Sequence, residues 1–208
     1  MNHVRFSFFR GRALADVLFG KYNPSGRLPI TYPKYEHRLS TYDYKWNEVT
    51  VDNSIEVEYS FGHGLSYTTF NYSNLVVPQK VAWNDPINIK VDVLNSGTVF
   101  GDHTVLLYVS DLYRTVTPPN KELKSYNKAG YEAGHKRTIE FTLNRDDLSF
   151  IGIDMKRITE SGTFQVTVGE LQAEFELMPA DSPVSSAHKF VYSLFMTIIS
   201  MLILIKSF

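Results

Sequence analysis

Two groups of residues in this chain have the types and spacing for chemistry. His63 lies between Gly62 and Gly64, and a neutral imidazole titrates near physiological pH, which makes it a candidate general base. Glu56 and Glu58, with Glu48 upstream, suggest paired carboxylates. Residues spaced i, i+2 share one face of a strand, however, and that is equally the pattern of a solvated face. His63 correspondingly reads as a structural histidine in a tight turn. The other five histidines (His3, His37, His103, His135, His188) have no acidic or histidine partner at metal-ligand spacing. No dinucleotide or P-loop signature, Gly-x-Ser-x-Gly or His-Glu-x-x-His occurs. The residues alone assign no catalytic side chain, no metal and no cofactor, and leave substrate-binding residues open. One modification signal stands out: Asn71-Tyr72-Ser73 is an N-glycosylation acceptor, whereas proline disqualifies Asn23-Pro24-Ser25.

Composition narrows the classes further. The chain has 208 residues and 43% hydrophobic residues, enough for a sizeable core and too apolar for global disorder. A net charge of −1 gives no general attraction to nucleic acid. There is no cysteine, which excludes disulfides, thiol catalysis and cysteine-based zinc sites. The first nine residues have no apolar run of the length a signal peptide needs.

The elements that must position these residues change character at Phe61 to Phe70. Upstream, Arg12 to Phe19 reads as a helix with Ala13, Leu14, Val17 and Leu18 on one face and Gly20 as its stop. A turn at Asn23 to Gly26 follows, then a strand over Arg27 to Tyr32 closed by Pro33. This piece cannot bury a core alone, so it must complete a larger α/β domain or lie against something else; deprived of that domain, Arg12 to Tyr32 is expected to be exposed and labile. Lys34 to Ser60 is a long polar connection dotted with Tyr35, Tyr42, Tyr44, Trp46 and Tyr59, the mark of an interface loop. Phe61 to Leu65 is a corner, and Ser66 to Phe70 alternates like an entering strand.

Downstream, seven short strands are predicted: Leu75 to Val77, Ile87 to Leu94, Thr104 to Ser110, Leu123 to Ala129, Arg137 to Leu143, Thr163 to Val168 and Ala173 to Leu177. Turn residues separate them, and Ile87, Ile89, Val91 and Val93 alternate with polar neighbours. That pattern predicts a mainly β fold, an antiparallel sandwich of the immunoglobulin or fibronectin type III kind. Asp146 is a candidate cap of a short turn between strands.

Two long motifs carry a family resemblance. Ala13-Leu14-Ala15-Asp16-Val17-Leu18-Phe19-Gly20, followed by Tyr22-Asn23-Pro24-Ser25-Gly26-Arg27-Leu28-Pro29, resembles the end of the second, α/β sandwich domain of family 3 glycoside hydrolases. Phe61-Gly62-His63-Gly64-Leu65-Ser66-Tyr67-Thr68-Thr69-Phe70 is similar to the start of that family's fibronectin type III-like domain. Asn95-Ser96-Gly97, Leu107-Tyr108-Val109, Pro119 to Tyr126, Gly162-Thr163-Phe164 and Val168-Gly169 follow in family order, so the likeness runs over about residues 11 to 178. Thr41 to Tyr44 leading to Glu58-Tyr59-Ser60-Phe61 looks more like the β-glucosidase branch than the β-xylosidase branch.

The resemblance implies a retaining exo-acting β-glycosidase, which uses a carboxylate nucleophile and an acid/base carboxyl about 5–5.5 Å apart. In the family both come from regions upstream of the Ala13 to Gly20 helix, so no catalytic residue is carried onto this sequence, Asp16 included. The implied partners are the N-terminal catalytic domains and a β-linked glucoside or oligosaccharide substrate; the chain alone is expected to hydrolyse none. The implied organisation is 1–33 as the end of the α/β sandwich domain, 34–60 as an inter-domain loop, 61–178 as the fibronectin type III-like domain and 179–189 as a polar linker. A non-catalytic membrane-tethered sandwich that binds glycan or protein, with Tyr42, Tyr44 and Trp46 stacking on sugars, is the alternative.

The tail, 190–205, is uncharged and mostly apolar. As a helix it is about 24 Å long against a ~30 Å hydrocarbon core. It reads as a C-terminal membrane helix or as a glycolipid-anchor signal behind Ala180-Asp181-Ser182, ahead of a buried hydrophobic helix. The expectation is therefore membrane attachment, with the sandwich extracellular or lumenal.

Overall fold

The computed structural model describes residues 5–36, 42 and 56–180. A helix, α1 (Arg5–Leu18), is followed by β1 (Tyr32–Pro33), β2 (Val57–Tyr59), β3 (Phe70–Val76), β4 (Lys80–Val81), β5 (Ile87–Asn95) and β6 (Gly101–Asp111). The chain continues through β7 (Glu122–Tyr131), β8 (Lys136–Leu143), a 3₁₀ turn (Arg145–Leu148), β9 (Phe150–Ile151), β10 (Arg157–Ile158), β11 (Gly162–Val168) and β12 (Leu171–Leu177).

Alternation builds the sandwich. In β5, Ile87, Ile89, Val91 and Val93 are fully buried while Asn88 and Lys90 face water, because successive side chains of a strand point to opposite faces. Their partners in β8 bring Leu143, Phe141 and Ile139 to the same side. The facing sheet contributes Val105, Leu107 and Val109 from β6 with Phe164, Val166 and Val168 from β11. The first sheet has the order β3-β5-β8 and the second β4-β12-β11-β6-β7; β4 alone runs parallel to its neighbour. The mainly β, fibronectin type III-like expectation holds.

Several boundaries differ from the sequence reading, each for a local reason. The strand expected at Leu75 to Val77 begins at Phe70 and carries a register shift between Ser73 and Val76. Asn74 takes a left-handed φ of 52° in that irregular stretch, a conformation asparagine tolerates, and its amide donates to Asp92. Residues 66–69 are not a strand: Ser66 Oγ and the Tyr67 N–H donate to Asn23 Oδ1, and Thr68 Oγ1 donates to Asn95 Oδ1. The Thr68 N–H likewise donates to Ser66 Oγ at 3.3 Å, so the backbone donors of Tyr67 and Thr68 bond side chains rather than a ladder. Of Arg27 to Tyr32, only Tyr32 is in a strand; Pro29 lacks the N–H a continuing ladder needs. The end of the 34–60 connection is not loop but β2, antiparallel to β1. At the 3₁₀ turn the cap is Asn144, whose N–H donates to the Asp147 carboxylate at 2.7 Å, and not Asp146, which pairs with Arg145.

Helix α1 starts seven residues before the expected Arg12, and its anticipated apolar face is open to water: Leu14 is 60% and Leu18 65% exposed. The hydrophobic helix expected at 190–205 and most of the 179–189 linker lie outside the described residues. Among those described, no helix is long and apolar enough to cross a membrane.

Candidate functional site

The positions singled out by motif converge on one seam, where Asn23 to Leu28 lies across the sandwich. Asn23 uses both ends of its amide: Nδ2 donates to the Phe100 carbonyl at 2.9 Å, and Oδ1 accepts from Ser66 and Tyr67. Lys128 Nζ donates to the buried Ser25 hydroxyl at 3.0 Å. The Leu28 N–H donates to the His63 carbonyl, and the Gly62 N–H donates back to the Leu28 carbonyl, both at 2.8 Å. Tyr67 Oη donates to the Val17 carbonyl in the last turn of α1. The expectation of a labile first segment is therefore corrected in part: residues 23–28 dock, while much of the α1 face and Phe19 stay exposed. The contacts that decide this join residues from 34 (Leu28 and Gly62) to 103 (Ser25 and Lys128) apart in sequence, beyond the reach of any local pattern.

The two glycines around His63 have separate physical roles. Gly62 takes φ +82° and lies flat on β6, where a Cβ would sit 2.5 Å from a Leu106 methyl. At Gly64 a Cβ would sit 2.2 Å from the Gly26 carbonyl. The corner thus requires glycine twice, once for conformation and once for close approach. His63 itself is part of that corner, its ring 4.8 Å from Tyr59.

Arg27 organises the interior end of the seam. Its Nη1 donates to the Gly64 carbonyl at 2.9 Å, and its Nη2 contacts His103 Nδ1 at 2.8 Å. Guanidinium can only donate, so Nδ1 is the bare nitrogen and Nε2 carries the proton. That N–H donates to Tyr72 Oη at 2.6 Å, while the imidazole stacks on Phe70 with centroids 4.1 Å apart. Burial, with help from the Arg27 charge, pushes the His103 pKa down to about 4. Burial pushes Tyr72 up to about 12. Neither group exchanges a proton near neutrality, so the chain Arg27–His103–Tyr72 is a positioning device.

Acid should release it. Between pH 6.5 and about 4 the unfolded chain takes up a proton at His103 that the fold excludes, so stability is complete above pH 6.5 and falls toward pH 4. The expected loss is on the order of 2 kcal/mol. Asp92 adds a second step lower down: the Thr138 hydroxyl, Lys136 and Asn74 hold its carboxyl well below the usual range, and that stability is lost as pH drops below about 3.8. Urea unfolding at pH 7 and pH 4.5 measures the first step. His103→Gln should flatten it, and an unchanged slope in that variant contradicts the assignment.

Beside this device lies an open cleft of about 690 Å³, lined by Arg27, His63, Asn71, Tyr72, Lys121 and Glu170 among others. Glu170 is the one carboxylate among its described lining residues. Glu56 is exposed and pairs with Lys34 at 2.8 Å, and Glu58 is exposed beside it in β2. Asp16 pairs with Lys21 at 3.5 Å. Glu48, Tyr44 and Trp46 lie outside the described residues, whereas Tyr42 packs edge-on against Phe61 at 5.4 Å. Asn71 is exposed on β3. His103 is the functional-site residue that the motifs do not mark. Its signal was available: extending the Thr104 to Ser110 strand backwards puts it in phase with the inward Val105, Leu107 and Val109.

Comparison with known proteins matches both halves. Residues 9–67 match the glycosyl hydrolase family 3 C-terminal domain, and residues 103–172 the fibronectin type III-like domain. The chain is 39% identical over 174 residues to a lysosomal beta glucosidase of Dictyostelium discoideum, covering 78% of this chain and 21% of the relative. It is 37% identical over 184 residues to thermostable beta-glucosidase B of Acetivibrio thermocellus, covering 80% and 24%. A solved β-glucosidase structure from Erythrobacter marinus superposes with a TM-score of 0.74 at 30% identity, over 81% of this chain and 24% of that one. The chain therefore spans about a quarter of the length of the relatives it matches. With motif, fold and seam in agreement, the chain belongs to glycoside hydrolase family 3, of which it carries the C-terminal region, the end of the α/β sandwich domain joined to the fibronectin type III-like domain.

Proposed function

We propose that this chain is the bracing C-terminal portion of a retaining, exo-acting, β-glucosidase-like glycosidase, which acts on β-linked glucosides only together with the catalytic barrel and the remainder of the α/β domain. One observation carries the reading. Residues 23–28 are clamped to the sandwich, yet Leu14, Leu18, Phe19, Ile30 and Tyr32 around that clamp are more than half exposed. An apolar face of that extent belongs against a partner surface, and the rest of the α/β domain is the partner that continues it. The division into 1–33, 34–60 and 61–178 fits the same reading, with the seam as the joint. Retaining hydrolysis needs two carboxyls facing one sugar, and among the described residues lining the cleft Glu170 is the one carboxylate.

The purified chain is expected to give no turnover of an aryl β-glucoside. Sustained hydrolysis abolished by one carboxylate substitution within this chain sinks the proposal. The uncharged run at 190–205 supports a second element of the reading, attachment to a membrane through the tail with the sandwich facing outward.

A further inference from the structure

We infer that the end of the sandwich carrying Tyr113, Ile153 and Met155 faces a lipid bilayer and sets its apolar tips into the interfacial layer. The inference rests on the tail being a membrane segment and goes beyond it by naming the face of the fold that meets the lipid.

The three side chains are among the most exposed large apolar groups described: Ile153 84%, Met155 81% and Tyr113 80%. Ile153 and Met155 form the tip of the β9–β10 ribbon, and Ile151 at its base is also exposed. The tip is a closed turn, with the Gly152 N–H donating to the Lys156 carbonyl and the Met155 N–H donating to the Gly152 carbonyl. Met155 takes a left-handed φ of 61° to complete it. The root is anchored: Phe150 is buried and lies 4.4 Å beneath the Arg114 guanidinium. A rigid root with an apolar tip in water is a surface awaiting an apolar medium.

Strand pairing places the tail at this same end. The last residue of β12, Leu177, pairs with Gly162, the first of β11. The Leu112 N–H donates to the Thr163 carbonyl, and the Glu160 carboxylate accepts from the Thr115 N–H and hydroxyl. Tyr113, the β9–β10 ribbon and the exit of β12 therefore share one end. Nine residues, 181–189, separate the described chain from the apolar run and span at most about 30 Å. A bilayer holding 190–205 is consequently within short reach of this end.

Charge gives the class of lipid. Among the described residues of this face, Lys156 pairs with Asp154 at 3.7 Å and Arg145 with Asp146 at 3.2 Å, and Arg157, exposed on β10, donates to the Ser149 hydroxyl at 3.0 Å, so the cations there are offset or isolated and form no basic cluster for anionic headgroups. Apolar insertion with a tyrosine at the headgroup level suits a zwitterionic surface.

The sequence has no cysteine, so a single label can be placed at will. Met155→Cys and, at the opposite end, the exposed Ala133→Cys would each be labelled with bimane in the full chain and reconstituted into phosphatidylcholine vesicles containing doxyl-labelled lipid. The expected result is flotation of both proteins with the vesicles, and quenching of about twofold or more at position 155 with none at 133. Failure to float overturns the membrane reading and this inference together. Flotation without quenching at 155, or with equal quenching at both sites, overturns this face alone. A dimer in detergent that Ile153→Asp dissociates assigns the patch to a second copy, which also overturns it.

Discussion

Replacing Phe175 by alanine is expected to cost about 3–5 kcal/mol of folding free energy. Phe175 is 1% exposed and stacks on Phe164 across β11 and β12, with centroids 5.3 Å apart and planes at 16°. Truncation removes its transfer from water, leaves a cavity that the surrounding Val166, Leu177 and Phe164 can fill only in part, and ends the ring–ring contact. A domain of this size has a total stability of about 5–15 kcal/mol, so a fifth or more of it goes. Thermal melting followed by circular dichroism should show a fall of about 10–25 °C. The control is Tyr126→Ala: Tyr126 is 68% exposed, and its loss should change stability by no more than about 0.5 kcal/mol. Equal effects at the two positions contradict the assignment of the core.

Arg27→Met is the second large effect, and it is directional. The variant keeps an apolar stem but leaves two acceptors without donors, the Gly64 carbonyl and the buried His103 Nδ1. Each orphaned group costs about 1–3 kcal/mol, giving about 2–6 kcal/mol in total. The loss should be local before it is global. Amides of Leu28 and Gly62, which bond reciprocally across the seam, should lose protection by about tenfold or more while those of β5 and β11 keep theirs. His103 should titrate higher than about 4, because the Arg27 charge helps hold it down, yet stay below 6.5, because burial is the larger cause. Hydrogen exchange read by mass spectrometry and an NMR titration of His103 test both. Wild-type exchange at Leu28 and Gly62 with an unmoved His103 contradicts the role given to Arg27. Arg27→Lys should recover only part of the protection, since an ammonium lacks the planar fork that reaches two acceptors at once.

These two experiments also separate what could be read from the chain and what could not. Phe175 and its neighbours were legible, because a strand with one buried face writes a period of two into the sequence, and β5, β8 and β11 all do so. The two-residue strands β1, β4, β9 and β10 were not, since two residues have no period. Leu14 and Leu18 formed a legible stripe, but a stripe shows only that something covers it. Residues 66–69 had the alternation of a strand and are not one, because the Tyr67 and Thr68 N–H groups donate to the Asn23 and Ser66 side chains instead of a neighbouring strand.

By itself, the sequence determined the family, the β-sandwich and the inward faces of its long strands, since each is recorded in local spacing or in contiguous motifs. It also showed that His63 lies in a glycine corner. Only the tertiary structure decided that residues 23–28 dock while the α1 face remains open, that Arg27 selects the His103 tautomer, and that the exit of β12 shares an end with Ile153 and Met155. Those outcomes depend on groups such as Arg27 and His103, 76 residues apart, meeting where two sheets close. No local pattern encodes that meeting, because the free energy that selects it comes from burial and hydrogen bonds made only after the chain has crossed itself.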